Sequence, residues 1–242
     1  MLKINNLNKS YKKKKALVGI NIEIEKGSFV GLVGNNGAGK TTLIKSIFGE
    51  TNIESGEILF NKEDVNKNGN ISKISFFPDS NSLKLNIKLI DYLNYIAVLN
   101  EVEDRENKIK KIIKFLKLDP HSNKELSKLS AGWKKRAIMA SCLITSPEMI
   151  IFDEPTANLD LDSKIEFLEI IKYLNTIGVT IVITSHIIEE LQGTIDHLII
   201  LREGVVIYNQ SFDKDNEIIK EIYSNLNKHE ETDFNELQNL FK

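Results

Sequence analysis

A short glycine-rich run has the residue types and spacing of a loop that binds the phosphates of a nucleotide. It matches G-x-x-x-x-G-K-[ST], and its members are Gly34, Asn35, Asn36, Gly37, Ala38, Gly39, Lys40, Thr41 and Thr42. The glycines allow backbone N–H groups to converge on one anion, and the start of a helix adds partial positive charge. This run, the P-loop, therefore predicts a nucleotide site in which Lys40 reaches the β- and γ-phosphates and the Thr41 hydroxyl binds Mg²⁺.

The segments on either side of the P-loop support this prediction. Phe29–Val33 is apolar and predicts a buried strand that enters the loop, and residues 42–48 predict the helix that leaves it. The alternative is a glycine-rich turn that only joins a strand to a helix. The complete match in a strand–loop–helix context disfavours that alternative.

Two carboxylates follow a second apolar segment, and their position suits metal and water chemistry. Residues 149–152 predict a buried strand, which Asp153 and Glu154 follow directly. We expect Asp153 to face the P-loop and to hold Mg²⁺, directly or through water. Glu154 points in a different direction and is placed to act as the general base on the attacking water, an effect worth roughly 10²–10⁴-fold. A solvated acidic turn is the alternative, and it is the weaker one after a buried strand in a P-loop protein.

Two more residues are candidates for contacts with the nucleotide. His186 follows the apolar run Thr180–Thr184, whose carboxyl end is expected to lie over the phosphates, so it is a candidate γ-phosphate sensor. A surface or capping histidine is the ordinary alternative. Tyr11 precedes the P-loop and is a candidate for stacking on adenine, where an ordinary strand or turn aromatic is the alternative.

The order of the predicted elements indicates an α/β fold. Alternating or apolar runs at 20–24, 56–60 and 71–77 predict strands in the first third of the chain. From about residue 86 to 118 the period becomes helical, with one apolar face formed by Leu89, Tyr92, Leu93, Ile96 and Leu99. After residue 147, strands and helices alternate, with a short helix predicted at 187–191, and this order predicts a mostly parallel sheet with ligands at the carboxyl ends of its strands.

Length and composition bound the class of protein. The 242 residues carry a net charge of −2, with 41% hydrophobic and 27% charged residues, which is ordinary for a globular protein and gives no reason to expect nucleic acid. The basic residues 12–15 predict a solvated turn. The single cysteine, Cys142, lies in an apolar helical stretch and predicts a small core residue of a protein in a reducing cytosol. No apolar run approaches the ~20 residues that cross a bilayer, and no signal peptide is recognisable, so we expect a cytoplasmic chain that meets a membrane only through a partner.

The motifs together resemble the nucleotide-binding domain of ATP-binding-cassette (ABC) transporters, over roughly residues 2–209. Residues 129–136 are similar to the LSGGQ signature of that family, although a serine, Ser130, at this place would otherwise be an ordinary helix N-cap. Residues 157–160 resemble the D-loop, His186 the switch histidine, and Tyr11 the adenine-stacking aromatic. The resemblance implies that Ser130 and Gly132 touch the γ-phosphate.

The same resemblance implies a P-loop NTPase fold and a division of the chain. We expect a mostly parallel central sheet, an N-terminal antiparallel β-subdomain and an inserted helical subdomain at about 82–145. These parts form an ATPase domain at 1–210, and 211–242 is expected to be a tail of one or two amphipathic helices.

The chain departs from the family pattern at two places. Asp79 stands where the family usually has Gln, in a loop that contacts Mg²⁺ and water, and it resembles the acidic loop of lantibiotic immunity ATPases. An acidic side chain there still accepts hydrogen bonds from water but adds negative charge near a phosphate. The signature carries Ala131 for its second glycine and Trp133 for its glutamine, yet it keeps Ser130 and Gly132. We expect ATPase activity to be retained.

The resemblance implies the ATP-hydrolysing subunit of a multi-component transporter, with ATP and Mg²⁺ as its cofactors. Two copies, or one copy and a second ATPase subunit, are expected to pair head to tail, and a separate membrane permease to dock near Phe76, Phe77 and the helical subdomain. This places the chain at the cytoplasmic face of the cell membrane. The acidic loop and the compact chain favour an exporter of a drug, a lipid or an antimicrobial peptide.

Two other functions are alternatives. The first is a soluble ABC-type ATPase of translation, DNA repair or cofactor assembly. The second cassette or long coiled-coil insertion typical of translation and repair proteins is not found in the sequence. The second is a nucleotide-binding regulator with little hydrolysis, against which Glu154 and His186 argue.

Overall fold

The computed structural model describes residues 1–78, 85–185 and 191–226. Two predicted site residues, Asp79 and His186, and the short helix predicted at about 187–191, apart from its last residue, lie outside them. Within these ranges a six-stranded sheet has the strand order β10-β9-β3-β8-β7-β6. Its strands are β3 (Phe29–Val33), β6 (Ile74–Phe77), β7 (Met149–Asp153), β8 (Thr180–Thr184), β9 (His197–Arg202) and β10 (Val205–Ser211).

The central sheet is parallel except at one edge. β3 pairs in parallel with both β8 and β9, β7 pairs in parallel with β8 and β6, and β10 runs antiparallel to β9. Every residue of β3 and β8 is buried, which is the reason that both segments are continuous apolar or small-residue runs. Because the strands are parallel, the segments that follow β3, β7 and β8 all leave from the same edge of the sheet.

A second sheet is antiparallel and lies at the N-terminal side of the chain. Its order is β2-β1-β4-β5, with bounds β1 (Leu2–Tyr11), β2 (Lys14–Ile24), β4 (Ser55–Phe60) and β5 (Glu63–Asp64). Its buried residues share one hydrophobic cluster with helix α1 (Lys40–Ile47) and with one face of the central sheet. The P-loop helix is therefore packed among residues of both sheets.

The opposite face of the central sheet is covered by helices. They are α2 (Leu89–Leu99), α3 (Arg105–Phe115), α4 (Ala131–Ile144), α5 (Leu161–Thr176) and α6 (Ile219–Leu226). Their buried side chains form a second cluster with apolar residues of β3, β7, β8 and β9, and Cys142 belongs to it. Burial raises the pKa of the Cys142 thiol to about 12, as expected of a core cysteine. The predicted α/β class, with its mostly parallel sheet and antiparallel N-terminal sheet, is confirmed.

The structure corrects two local predictions. The strand predicted at 71–77 begins only at Ile74, because Asn70–Lys73 forms a 3₁₀ turn. On α2 the buried positions are Leu89, Leu93 and Ala97, whereas Leu99 is 60% exposed. At 100° per residue, Leu99 lies about 200° from Ala97 and so faces away from the core.

The predicted domain boundaries at 82, 145 and 210 stay predictions, as do the helices expected beyond residue 226. Across the described ranges the structure contains no helix that is both long enough and apolar enough to pass through a bilayer.

Candidate nucleotide-binding site

The P-loop lies between the end of β3 and the start of α1, as the sequence predicts. Gly39 is the residue directly before the helix, and its φ of 114° is a conformation that residues with an L side chain rarely adopt. Gly34 is needed for a different reason, because a Cβ atom there would lie 2.4 Å from the carbonyl oxygen of Leu201. The carbonyl of Ala38 accepts a hydrogen bond of 2.8 Å from the N–H of Gly204. Residues at the turn between β9 and β10 therefore contact the P-loop and stabilise its conformation.

A pocket of about 370 Å³ opens in front of this loop. Its walls bring together residues from β1, β2, the P-loop and the end of β7: Tyr11, Lys14, Ala16, Asn35, Asn36, Gly37, Gly39, Lys40, Thr41, Thr42, Asp153 and Glu154. Gly34 and Ala38 are buried behind the loop and support it. Most of the predicted site residues are therefore neighbours in the fold.

Lys40 is the buried cation among the described residues that line the pocket, and it is held inside the loop. Only 8% of the residue is exposed, and its ammonium donates hydrogen bonds to the carbonyl oxygens of Gly34 and Asn35, the latter at 3.4 Å. Burial lowers the pKa of Lys40, and the nearby Glu154 and Asp153 carboxylates oppose that change. A polyanion entering the pocket would meet a partly desolvated positive charge.

The neighbouring strand β8 fixes the carboxylate of Asp153 and the backbone of Glu154. The hydroxyl of Thr184, a fully buried residue, donates a hydrogen bond of 2.6 Å to Asp153 Oδ1. The N–H of Glu154 lies 3.2 Å from both the carbonyl and the hydroxyl oxygen of Thr184. Glu154 has φ of 48°, in the left-handed region, so the chain turns sharply there and the strand ends. Asp153 and Glu154 thus line the pocket opposite the P-loop helix.

The donor atoms at this edge fit a magnesium ion that binds together with a nucleotide. No group of three or more His, Cys, Asp or Glu side chains is placed to hold a metal in the part of the chain that the structure describes. Mg²⁺ commonly binds one or two carboxylates and completes its shell with phosphates and water. Asp153 and Thr41 supply hard oxygen atoms of this kind in the pocket.

Tyr11 stands at the mouth of the pocket with 47% of its surface exposed. Its hydroxyl lies 3.4 Å from Thr51 Oγ1, and this hydrogen bond is the main cause of a lowered Tyr11 pKa. The Lys9 ammonium lies 5.0 Å from the ring centroid. The ring is therefore anchored at its hydroxyl while part of its face remains available for stacking.

The residues predicted from the signature lie elsewhere. Ser130 is the N-cap residue of α4, as expected, but its side chain makes no capping hydrogen bond to any residue that the structure describes. A Cβ atom on Gly132 would meet Leu159 at 3.7 Å, which places the start of α4 beside residues 157–160. Neither Ser130 nor Gly132 is among the described residues that line the pocket.

The comparisons with known proteins agree with this geometry. The sequence model of the family described as ABC transporter matches residues 17–157, which is more than half of the chain. The chain belongs to the ABC transporter family. Domains of this family bind ATP, and ATP hydrolysis is general among them.

Individual relatives extend the similarity over nearly all of the chain. A protein named lantibiotic transport ATP-binding protein SrtF from Streptococcus pyogenes is 33% identical over 93% of this chain and 96% of its own length. The linearmycin resistance ATP-binding protein LnrL from Bacillus subtilis is 31% identical over 86% of this chain and 68% of its own length. A solved structure described as the ATP-binding subunit of an ABC transporter superimposes with a TM-score of 0.85 at 22% identity, covering 93% of this chain and 99% of that one.

Lys135 is a residue of this ABC domain that the sequence did not single out. It is fully buried, and its ammonium donates hydrogen bonds to the carbonyl oxygens of Glu154 at 3.1 Å and Pro155 at 2.7 Å. It thereby connects the helix that carries the signature to the end of β7. The sequence contained one indication that Lys135 is buried, because Lys135 lies four residues before Met139 and therefore on the same apolar face of α4.

Lys14 and Ala16 were also missed, since residues 12–15 were predicted to be a solvated turn. Lys14 is exposed at the first position of β2, and both residues line the pocket of the ABC domain beside Tyr11. The register between β1 and β2 shifts at Ala16, and an irregularity of this kind redirects side chains in a way that the sequence pattern does not show.

Proposed function

We propose that this chain is the ATP-binding and ATP-hydrolysing subunit of a multi-component ABC exporter and drives a separate membrane permease. The observation that carries the proposal is the meeting of Lys40, Asp153 and Glu154 in one pocket under Tyr11. Each of these residues has the chemistry that one part of ATP hydrolysis requires. The similarity to SrtF over almost the full length of both chains supports transport out of the cell, with an antimicrobial peptide as the first substrate class to test.

The proposed roles follow from position in the pocket. The P-loop amides and Lys40 bind the phosphates, Thr41 and Asp153 hold Mg²⁺, and Tyr11 stacks on adenine. A bound Mg²⁺ ion would neutralise part of the negative charge of the phosphates. Glu154 accepts a proton from the attacking water as the water oxygen bonds to the γ-phosphorus, while the bond from that phosphorus to the bridging oxygen breaks and ADP leaves. The roles of His186 as γ-phosphate sensor and of Asp79 as a contact to metal or water remain proposals on residues outside the described ranges.

A second ATPase chain is proposed to complete the site. Ser130 and Gly132 lie at the start of α4 and not in the pocket, so a signature that contacts the γ-phosphate must come from another copy. The N-terminus of α4, where the Ser130 side chain makes no capping hydrogen bond to a described residue, presents backbone N–H groups that suit a phosphate. With two identical chains, a two-fold arrangement produces two such sites.

The permease is proposed to dock on the helical part of the chain. Phe77 is fully buried and cannot contact a partner, so the expected docking surface for the permease does not include its side chain. Four large apolar side chains on α2 and α3 are instead 55–60% exposed: Tyr95, Val98, Leu99 and Phe115. A permease bound there would hold the chain at the cytoplasmic face of the membrane.

The central test uses Glu154→Gln, which keeps the shape of the side chain and removes the base. We expect loss of ATP turnover with retained ATP binding, because the phosphate cradle is unchanged, and an ATP-dependent dimer in gel filtration. Glu169→Gln, an exposed position on α5, is the matched control and should hydrolyse ATP at the wild-type rate. A Glu154→Gln variant that turns ATP over normally would contradict the proposed base, and one that stays monomeric with ATP would contradict the shared site.

Transport is tested by recovery of the chain from membranes. We expect it to co-purify with an integral membrane protein that has several apolar ~20-residue segments. Exposed-face variants such as Leu99→Asp should weaken this association without changing ATP turnover in solution. Recovery with ribosomes or DNA, and with no membrane protein, would contradict the transport function and favour the soluble ABC ATPase.

A further inference from the structure

The C-terminal helix α6 is attached at both ends to other segments of the chain, at Gln192 and at Arg202. At its start, Ile219 is fully buried in the core, and its N–H donates a hydrogen bond of 2.9 Å to Gln192 Oε1. The Gln192 amide donates in turn to the carbonyl of Glu217 at 2.6 Å. At its end, the carbonyl of Leu226 accepts a hydrogen bond of 2.9 Å from Arg202, the last residue of β9. These contacts fix the position of α6 against the sheet.

From this position α6 reaches the P-loop. Tyr223 lies four residues after Ile219 and therefore on the same face of the helix. Its hydroxyl donates a hydrogen bond of 2.8 Å to Asn35 Oδ1, across a separation of 188 residues in sequence. Asn35 is an exposed residue of the pocket wall, and this contact restrains its side chain.

The backbone of Asn35 organises the cation of the site. Its carbonyl oxygen accepts hydrogen bonds from the N–H of Ala38 at 3.0 Å and from the Lys40 ammonium at 3.4 Å. Asn35 therefore contacts α6 through its side chain and Lys40 through its backbone carbonyl. Asn35 thus joins Tyr223 to the part of the loop that holds Lys40, although Tyr223 is not among the described residues that line the pocket.

We propose that Tyr223 is a positioning residue through which the C-terminal helix sets the affinity of the P-loop for ATP. The inference rests on the proposed ATP site and adds to it a control element from outside the ATP-binding motifs. A loop held near its binding conformation loses less entropy when the nucleotide binds. Any partner that lifts α6 away from Asn35 would consequently weaken ATP binding.

The test is the kinetics of Tyr223→Phe, which removes the hydroxyl and keeps the ring packed. Because one neutral hydrogen bond is lost, we expect KM and Kd for ATP to rise about 2- to 10-fold. The turnover number should stay at the wild-type value, since Glu154 is untouched, and the melting temperature should fall by no more than a few degrees, since one hydrogen bond is lost and the buried part of α6 is untouched. Tyr208→Phe is the matched control, because it removes a phenol hydroxyl from β10 and should leave KM, Kd, the turnover number and the melting temperature unchanged.

A double variant tests whether the effect passes through Asn35. In the Asn35→Ala background, Tyr223→Phe should produce no further change in Kd for ATP, because the hydrogen-bond acceptor is already absent. Independent, additive effects of the two substitutions would overturn the proposed route.

The outcomes separate this inference from the proposed function. If Tyr223→Phe binds ATP with the wild-type affinity, the inference is overturned. If the same variant also hydrolyses ATP at the wild-type rate, the proposed function is not contradicted. A Tyr223→Phe variant whose melting temperature and turnover number fall together, with KM unchanged, would show that Tyr223 has only a structural role. That result would also overturn the inference. A wild-type protein that neither binds nor hydrolyses ATP removes the proposed function and this inference with it.

Discussion

The Lys40 ammonium is a positive charge in a partly desolvated position, because only 8% of the residue is exposed. Its ammonium rests on two loop carbonyls, and burial lowers its pKa despite the two carboxylates across the pocket. The triphosphate of ATP would place several negative charges near the ammonium and raise the pKa again. The affinity for ATP is therefore coupled to the protonation state of one side chain.

This coupling predicts proton uptake when ATP binds at alkaline pH. Between the lowered pKa of free Lys40 and the raised pKa of the complex, binding must add a proton, so the affinity falls as pH rises through the lower value. The measurement is titration calorimetry in buffers of different ionisation enthalpy, from neutral pH towards the ordinary lysine pKa of 10.5.

A substitution on the same helix controls for general effects of charge. Lys45 is exposed on α1, and Lys45→Met should keep the proton uptake. A binding heat that does not depend on the buffer at any pH would contradict the assignment of Lys40 as the phosphate cation.

At the level of residues, the contiguous motif was the part that the sequence could predict. The P-loop and the Asp153–Glu154 pair consist of neighbours in the chain, and their chemistry depends on local backbone geometry. Lys14, Lys135 and Tyr223 could not be assigned in this way, because their contacts join segments that are distant in sequence. The catalytic and binding roles of the predicted residues stay proposals until the variants are measured.

Helices α4 and α5 are joined by a polar cluster at the side of the helical part. Glu166 on α5 accepts hydrogen bonds from Arg136 on α4, at 3.3 Å to Nη1, and from Lys117 at 3.1 Å. The Arg136 guanidinium also lies 5.3 Å from the Trp133 ring centroid. The Arg136 hydrogen bond is the main cause of a lowered Glu166 pKa. This ion pair ties the signature helix to the helix that follows residues 157–160.

We predict that the ion pair stabilises the fold only while Glu166 is ionised. A lowered carboxyl pKa contributes stability above the unfolded value of 4.5, and this contribution is lost as pH falls through the folded value. Glu166→Gln should lower the free energy of unfolding at neutral pH by about 1 kcal/mol, since the pair is partly solvated. Urea denaturation as a function of pH checks it.

The exposed Glu169→Gln variant on the same helix is the control and should unfold as the wild type does at every pH. A Glu166→Gln difference that persists unchanged at acidic pH would show that packing, and not charge, joins the two helices.

At the level of elements, the sequence predicted strands better than helix faces. β3 and β8 are continuous runs of apolar or small residues because both faces of the sheet are covered, and this pattern identifies a buried strand. On α2 the apolar residues extend around most of the helix, so the pattern alone did not show that Ala97 and not Leu99 meets the core. A small residue at the contact permits close approach of the neighbouring helix, which only the packing reveals.

The single chain brings together the P-loop, the two carboxylates and the tyrosine, but not the signature. Ser130 and Gly132 lie beside Leu159 at the start of α4, outside the pocket of their own chain. If they act on ATP, the functional unit has two copies, and each isolated chain is incomplete.

A shared site predicts that ATP turnover per chain depends on protein concentration. At low concentration the chains are separate, and turnover should rise with concentration until dimers predominate. The check is the initial rate per chain across a dilution series, with gel filtration of Glu154→Gln and ATP at the same concentrations. A constant rate per chain from a protein that remains monomeric would show that one chain contains the whole site.

The family, the α/β class and the identity of the P-loop followed from the sequence by itself. They depend on short contiguous motifs and on apolar periodicity, both of which are local properties of a chain. The tertiary structure decided which distant residues reach the site: Lys14 from β2, Lys135 from α4, and Tyr223 on Asn35 from 188 residues away. It also showed that Ser130 and Gly132 lie outside the pocket. The physical reason is that such contacts depend on how strands and helices pack in three dimensions, and nothing in the local pattern encodes the distance between two remote side chains.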